Sequence, residues 1–263
     1  MFEDFLDRYA QSNAIRNVNT YYKVLFGLIT MIVSLVSTSP IIPLTVFILV
    51  SSVILFIAKI PAKFYLKFVT IPLSFASITF VFMAVWFGTG SYIYSLGLFN
   101  LGVTASGFNL GFLVFSRMMG GFACLAFLGL TTPLPEIFSV LEDFKFPEEL
   151  LEITMLMYRY VFISIDEALK MYQAQQTRLG YSSSLRKTFD SMGMLIANIF
   201  IRTWTIGEKS YVSMQSRCYD GKLNTMDDHD SISSIPIKNL VTLALFEVVL
   251  SVGVYFTASF HVF

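Results

Sequence analysis

Two arginines in this sequence stand where an arginine could act on another molecule. Arg178 lies in "QQTRLGY", residues 175–181, and Arg217 in "QSRCYDGK", residues 215–222. Each follows a glutamine and a small hydroxyl residue, and each is expected close to the C-terminal stop of a helix. A guanidinium is a rigid fork of donors that matches a carboxylate in two places. At a helix end it also meets the negative pole of the helix, worth about 0.3–1 kcal/mol, which alone would justify a single arginine. Two related phrases in the same structural position imply more: a pair of cationic tips able to enter acidic grooves on a partner protein.

Other chemistry-bearing residues are few. Asp228, His229 and Asp230, in "DDHD" at 227–230, could ligate a divalent ion, but adjacent ligands in a polar tail read as a solvated loop. The only other histidine is His261. "GEKS" at 207–210 and "DGKL" at 220–223 lack the spacing of a phosphate-binding loop, so the chain is not expected to bind ATP by itself. There is no G-x-S-x-G nucleophile motif. We therefore expect no catalytic residue, no metal site and no cofactor. Cys124 falls in an apolar run and Cys218 in a polar one, too different in depth to form a disulfide. Arg117 and Glu247 are the ionisable residues deepest in apolar segments. A charge in lipid normally has a partner or a task, and these two are expected to face each other as a structural ion pair rather than line an ion path.

The elements that must hold these residues belong to a membrane. Of 263 residues, 55% are hydrophobic, 14% are charged and 27 are Phe. The mean hydropathy is +0.67. Soluble domains carry about 25% charge, so this much apolar surface calls for hydrocarbon around it. Zero net charge gives no reason to expect nucleic acid. The polar, acidic start lacks the form of a secretory signal, so the first span is expected to target the chain. Five stretches could cross a bilayer: roughly 22–38, 41–58, 68–87, 107–130 and 238–260. Pro40 and Pro43 separate the first two, and Pro72 is expected to kink the third or make it partly re-entrant. Gly107 and Gly111 form a GxxxG that would allow close helix packing.

Charge placement orients the spans. Of 18 Lys and Arg, all but Arg117 lie in or beside three regions: the N-terminal segment, the 59–67 loop and residues 131–236. Loops 38–43 and 88–106 have none. The positive-inside rule then places the N-terminus, 59–67 and 131–236 in the cytoplasm of a multi-pass plasma-membrane protein, and the C-terminus outside. Loop 88–106, uncharged and rich in Gly and aromatics, is expected at the outer interface. The domain reading is residues 1–130 as an N-terminal segment with four spans, 131–236 as cytoplasmic coupling helices and 237–263 as the last span.

The cytoplasmic part reads as helices. In "FPEELLE" Pro147 opens a helix, and its glutamates suit the positive pole. No Pro or Gly follows before Arg178, so a helix of roughly thirty residues is expected, supported by an Asp166–Lys170 pair and stopped near Gly180. Serines 182–184 lead to a second long helix from about Leu185 to Tyr219. Its apolar interior, "MGMLIANIFIRTWTIGEKSYVSM", contains Arg202, so it is expected at the inner membrane surface rather than across it.

Taken together, the two arginine phrases resemble the coupling motifs of the transmembrane (T) component of energy-coupling-factor transporters. "DRYAQSNAIRNVNTYYK", residues 7–23, is similar to the N-terminal signature of that family's cobalt branch, often called CbiQ. "LTTPLPEIFSVLEDFKFPEELLEITMLMYRY", residues 130–160, resembles the segment opening its coupling domain, and "SMQSRCYDGK" its second motif. The Asp220-Gly221 pair favours cobalt. The resemblance implies an all-α integral membrane fold with about five spans. It also implies two ATP-binding cassette ATPase subunits, each touched by one arginine, and a separate membrane subunit that captures the substrate. Where the family has Ala-Arg-Gly, this chain has Thr177-Arg178-Leu179 and Ser216-Arg217-Cys218. These six residues are the expected ATPase contacts, and Leu179, the larger departure, is expected to alter the fit of the first. Nickel or a vitamin in place of cobalt is the neighbouring reading. A polytopic membrane enzyme would need acids or histidines clustered on one face, and the acids here are scattered.

Overall fold

In the computed structural model, the described residues are 9–11, 13–16, 18–87, 92–95, 102–144, 146–181, 184–219 and 236–257. The "DDHD" cluster, His261, Asp220-Gly221 and much of the 88–106 loop lie outside them. The chain forms two compact units, Met1–Val140 with His229–Phe263, and Leu141–Asp228.

The first unit is a helical membrane bundle. Its helices are α1 (Thr20–Val36), α2 (Ile41–Ser52) continued by a π turn at Val53–Ile57, α3 (Ala62–Trp86), α4 (Ala105–Thr131) and α8 (Ile237–Thr257). Three of them, α3, α4 and α8, are long and apolar enough to cross a bilayer; α1 and the Ile41–Ile57 segment are apolar but shorter. Asn19 caps α1 by accepting from the Tyr21 N–H, as its short polar side chain allows. The π turn closes with the Ala58 N–H on the Val53 carbonyl, and Lys59 then turns the chain with φ 56°. Pro61 opens α3, which therefore starts at Ala62 rather than near residue 68. Pro72 lies inside this helix without ending it, leaving no re-entrant break. Between α3 and α4 a short ribbon pairs β1 (Tyr92–Ser95) antiparallel with β2 (Gly102–Thr104), the one departure from helix among the described elements.

Helix α4 is the centre of the bundle. Half of its apolar stretch is buried, against 17% for α3 and for α8, whose remaining surface is left for lipid. Small residues make this possible: Gly107, Gly111, Ser116, Gly120, Ala123, Cys124 and Ala126 are all buried on it. Without a hydrophobic drive inside lipid, close backbone approach is what holds such helices together. At Gly111 a Cβ would come within 3.0 Å of the Phe80 carbonyl of α3, so the GxxxG does admit a neighbour. At Gly120 a Cβ would stand 2.5 Å from Ser34 Oγ and 2.8 Å from the Pro43 carbonyl oxygen. Aromatic rings fill the wider gaps, with Phe26 against Phe127 and Phe246, and Phe68 against Phe122.

The end of α4 is tied to the N-terminal segment. Asn13 Nδ2 lies 3.3 and 3.2 Å from the carbonyls of Leu130 and Thr131. Lys23, only 1% exposed, donates to the Arg16 carbonyl at 3.1 Å and the Thr131 carbonyl at 3.5 Å. A buried ammonium at the negative end of a helix satisfies both charge and carbonyls. Thr20 Oγ1 donates to Glu136 Oε2 at 2.8 Å, joining the start of α1 to α5 (Leu134–Asp143). Most of α5 thus belongs to the first unit, which runs to Val140.

The two adjacent glycines of α4 give a direct check. Gly120→Ala forces a methyl against a backbone oxygen and is expected to cost about 1–3 kcal/mol. Gly121→Ala, with nothing within 4 Å, is expected to be neutral or stabilising. Thermal unfolding of the two variants in detergent separates them.

Candidate functional site

The second unit contains two long helices, α6 (Glu148–Thr177) and α7 (Leu185–Gln215). Pro147 precedes the first. Ser184 caps the second, its side chain accepting from the Lys187 N–H. The helices run antiparallel, and four side-chain rungs show the register. Ser191 Oγ donates to the Gly180 carbonyl at 2.8 Å. Arg202 Nε lies 3.5 Å from Glu167 Oε2. The Tyr160 hydroxyl bonds Ser210 Oγ, and Tyr219 donates to Glu152 Oε2 at 3.1 Å. Partners descend along α7 as they ascend along α6. Lys170 pairs with Glu167 at 3.4 Å, one residue away from the expected Asp166 partner.

Both helices stop in the same way. At the end of α6 the Leu179 N–H donates to the Gln176 carbonyl and the Gly180 N–H to the Gln175 carbonyl. At the end of α7 the Cys218 N–H donates to the Gln215 carbonyl and the Tyr219 N–H to the Met214 carbonyl. Leu179 has φ 59° and Cys218 has φ 60°. These are two Schellman stops, each with its left-handed residue directly after an arginine. That position ordinarily favours glycine, because a Cβ costs roughly 1–2 kcal/mol there. The Leu and Cys that stand in place of glycine in the sequence nevertheless adopt the glycine conformation.

The first stop is the more heavily built. A Cβ on Gly180 would meet Ser191 Oγ at 3.0 Å and the Gln175 carbonyl at 3.1 Å, so a larger residue would have to push α7 back from this turn by a few tenths of an ångström. Tyr181 donates to Gln175 Oε1 at 2.6 Å, and its ring lies 5.1 Å from that of Tyr172. The second stop is tied by Tyr219 alone among these contacts.

Arg178 and Arg217 are exposed, as are Thr177, Leu179, Ser216 and Cys218. Among the described residues, no ion pair or side-chain hydrogen bond holds either guanidinium. With 31 residues in α7, about 46 Å separates its ends, so the two arginines occupy opposite ends of one hairpin. The arrangement offers two separate cationic forks.

The intramembrane charges are arranged differently from expectation. Arg117 donates from Nε and Nη2 to the Ser37 carbonyl, at 3.0 and 2.6 Å, capping the C-terminal end of α1. Glu247 is 7% exposed, and its Oε1 lies 2.6 Å from Thr30 Oγ1. Thr30 and Ser37 are two turns apart on α1, about 10 Å, so each charge has found a nearer partner than the other. Depth along the sequence gave both residues the same level; it carried no signal for the helix end that attracts the cation. The structural role of Lys23 was equally hidden, since a lysine beside a span reads as a topology marker.

Fold and site together define an all-α membrane protein with a two-helix arm. A family model described as CbiQ, cobalt transport protein, matches residues 11–227. The chain belongs to this cobalt transport protein family. It is 40% identical over 99% of its length to an uncharacterised protein of Methanocaldococcus jannaschii, covering 96% of that protein. A fused cobalt transport protein CbiMQ of Methanocorpusculum labreanum is 35% identical over 89% of this chain, which spans 39% of the fusion. The cobalt transport protein CbiQ of Rhodobacter capsulatus is 27% identical over 71% of this chain and 72% of that protein.

Replacing Leu179 or Cys218 by Gly removes the left-handed strain without touching the arginine. Each variant is expected to stabilise its helix end by about 1 kcal/mol, and Cys218→Val to destabilise it by at least as much. Amide hydrogen exchange at the last turns of α6 and α7 is the measurement.

Proposed function

We propose that this chain is the scaffold and energy-coupling subunit of an ATP-driven cobalt importer. Two ATP-binding cassette subunits dock on Thr177-Arg178-Leu179 and Ser216-Arg217-Cys218. Their closure on ATP moves the two ends of the α6–α7 hairpin relative to each other. A separate membrane subunit captures the ion and is tilted by that motion. The observation that carries this reading is the pair of identical helix stops, each presenting an exposed arginine at one end of a single antiparallel hairpin. Such a stop holds a guanidinium at the tip of a stiff rod, where it can enter an acidic groove and bond a carboxylate bidentately.

Further support comes from apolar surface in want of cover. On α6, Leu150, Ile153, Met157 and Val161 are exposed at helical spacing, and on α7 so are Phe189, Met192, Ile196, Phe200 and Trp204. Contiguous apolar stripes of this kind mark a membrane or protein contact. We assign them to the capture subunit and the inner membrane surface. The fusion of CbiM and CbiQ named in the Methanocorpusculum relative fits a capture subunit held close by. The distribution of Lys and Arg supports five spans, a cytoplasmic N-terminus, cytoplasmic coupling helices and a plasma-membrane location. The chain has no catalytic role in this scheme; hydrolysis belongs to the ATPases.

The test is co-purification and transport by a double Arg178→Glu, Arg217→Glu variant. Each reversal removes a charge-assisted contact of about 1.5–3 kcal/mol, so docking should weaken at least tenfold per site. Cobalt uptake should be lost while the membrane unit stays folded. Unchanged docking and unchanged uptake in the double variant would overturn the proposal.

A further inference from the structure

Thr30 has one hydroxyl hydrogen and two close oxygen neighbours. Its Oγ1 lies 2.6 Å from the Phe26 carbonyl and 2.6 Å from Glu247 Oε1. A carbonyl oxygen and a carboxylate oxygen are both acceptors, and a hydroxyl can donate fully to only one. Two contacts this short need two hydrogens. Thr30 supplies the first, to its own helix at Phe26, four residues back. The second has to come from the carboxyl group.

The surroundings agree. Among the described residues, buried Glu247 Oε2 has no hydrogen-bond partner, and neither has Ser34 Oγ, one turn beyond Thr30 on α1. An ionised carboxylate would leave its charge on an oxygen that nothing contacts, in a helix long and apolar enough to cross a bilayer. A neutral acid leaves only an unpaired carbonyl oxygen, a much smaller penalty. The basic groups of the neighbouring helices are committed elsewhere. Lys23, two turns below Thr30 on α1, donates to Arg16 and Thr131. Arg117 of α4 donates to Ser37, two turns above. From α4 the titratable thiol of Cys124 is buried, and Phe26 and Phe246 pack with ring centroids 5.7 Å apart between α1 and α8. From α2, Ile42 meets α8 at Gly253, where a Cβ would stand 2.9 Å from Ile42 Cδ1.

We propose that Glu247 is a proton-binding site inside the membrane unit: it keeps its proton in the resting protein and donates it in a hydrogen bond to Thr30, locking α8 to α1. The bond is neutral on both sides, so it fastens two helices in lipid without placing a net charge there. It differs in kind from the ion pair that the sequence invites. It is also independent of the ATPase docking proposed above, since it involves neither arginine tip.

Infrared spectroscopy of the purified protein in lipid at neutral pH tests this directly. Exposed Asp and Glu are ionised under these conditions, whereas a protonated carboxyl group gives a separate carbonyl stretch. The wild type is expected to show that band, and Glu247→Gln to lose it. Thr30→Val removes the acceptor and is expected to move the band to higher frequency. A wild-type spectrum without the band overturns the proposal whether or not any variant folds. A band unchanged in both variants belongs to another residue and also overturns it.

Discussion

A helix can transmit a push only as far as its last fixed residue. The final carbonyls of an α-helix lack intrahelical donors, and without substitutes the end frays. In this chain both α6 and α7 solve the problem with a left-handed residue, whose own N–H and that of the residue after it turn back onto those carbonyls. The arginine sits immediately before the fold-back, within the ordered backbone. Its position relative to the helix axis is therefore set by the stop and not by side-chain wandering. The coupling role proposed for the arginines depends on that constraint, because a guanidinium on a frayed end could bind a partner but would transmit nothing along the helix.

The hairpin that carries these tips is unusual in what it lacks. Among the described residues of α7 only Ser191 is buried, and the buried apolar residue of α6 is Leu151. The pair is held by rungs, Ser191 to Gly180, Glu167 to Arg202, Tyr160 to Ser210 and Glu152 to Tyr219, rather than by a packed seam. Exposed rungs of this sort contribute about 1 kcal/mol or less apiece. The apolar faces of α6 and α7 are consequently left exposed. This division suits the proposed role: stiffness lies along each helix, and adhesion is left for a partner.

Much of this was legible in the sequence because it is written in one dimension. Apolar runs marked five helices, Pro147 and Ser184 marked helix starts, and the phrases around Arg178 and Arg217 marked two stops. The all-α membrane fold and the transport family followed from these. What depends on three dimensions was not legible. Leu179 is the larger departure from the family's glycine, and nothing in the sequence signalled that it would still adopt the left-handed φ of 59°. Arg117 and Glu247 looked like partners because each lay near the middle of a span, but the nearer attractors were a helix end and a hydroxyl. Asn13 and Lys23 gave no sign of their role, since the carbonyls they meet lie more than a hundred residues away.

That last contact bears on how firmly the end of α4 and the start of α5 are held. The arm joins the bundle through α5, directly after the end of α4. If the end of α4 could unwind, any displacement of α5 would be absorbed there as local melting. Lys23 and Asn13 prevent this by occupying the carbonyls of Leu130 and Thr131, and Thr20 holds Glu136 at the start of α5. An ammonium at 1% exposure is expensive to place, and the cost is offset only while those carbonyls remain in position. The N-terminal segment therefore makes the junction an all-or-none element: α4, α1 and α5 keep their mutual geometry together or lose a buried charge's partners together.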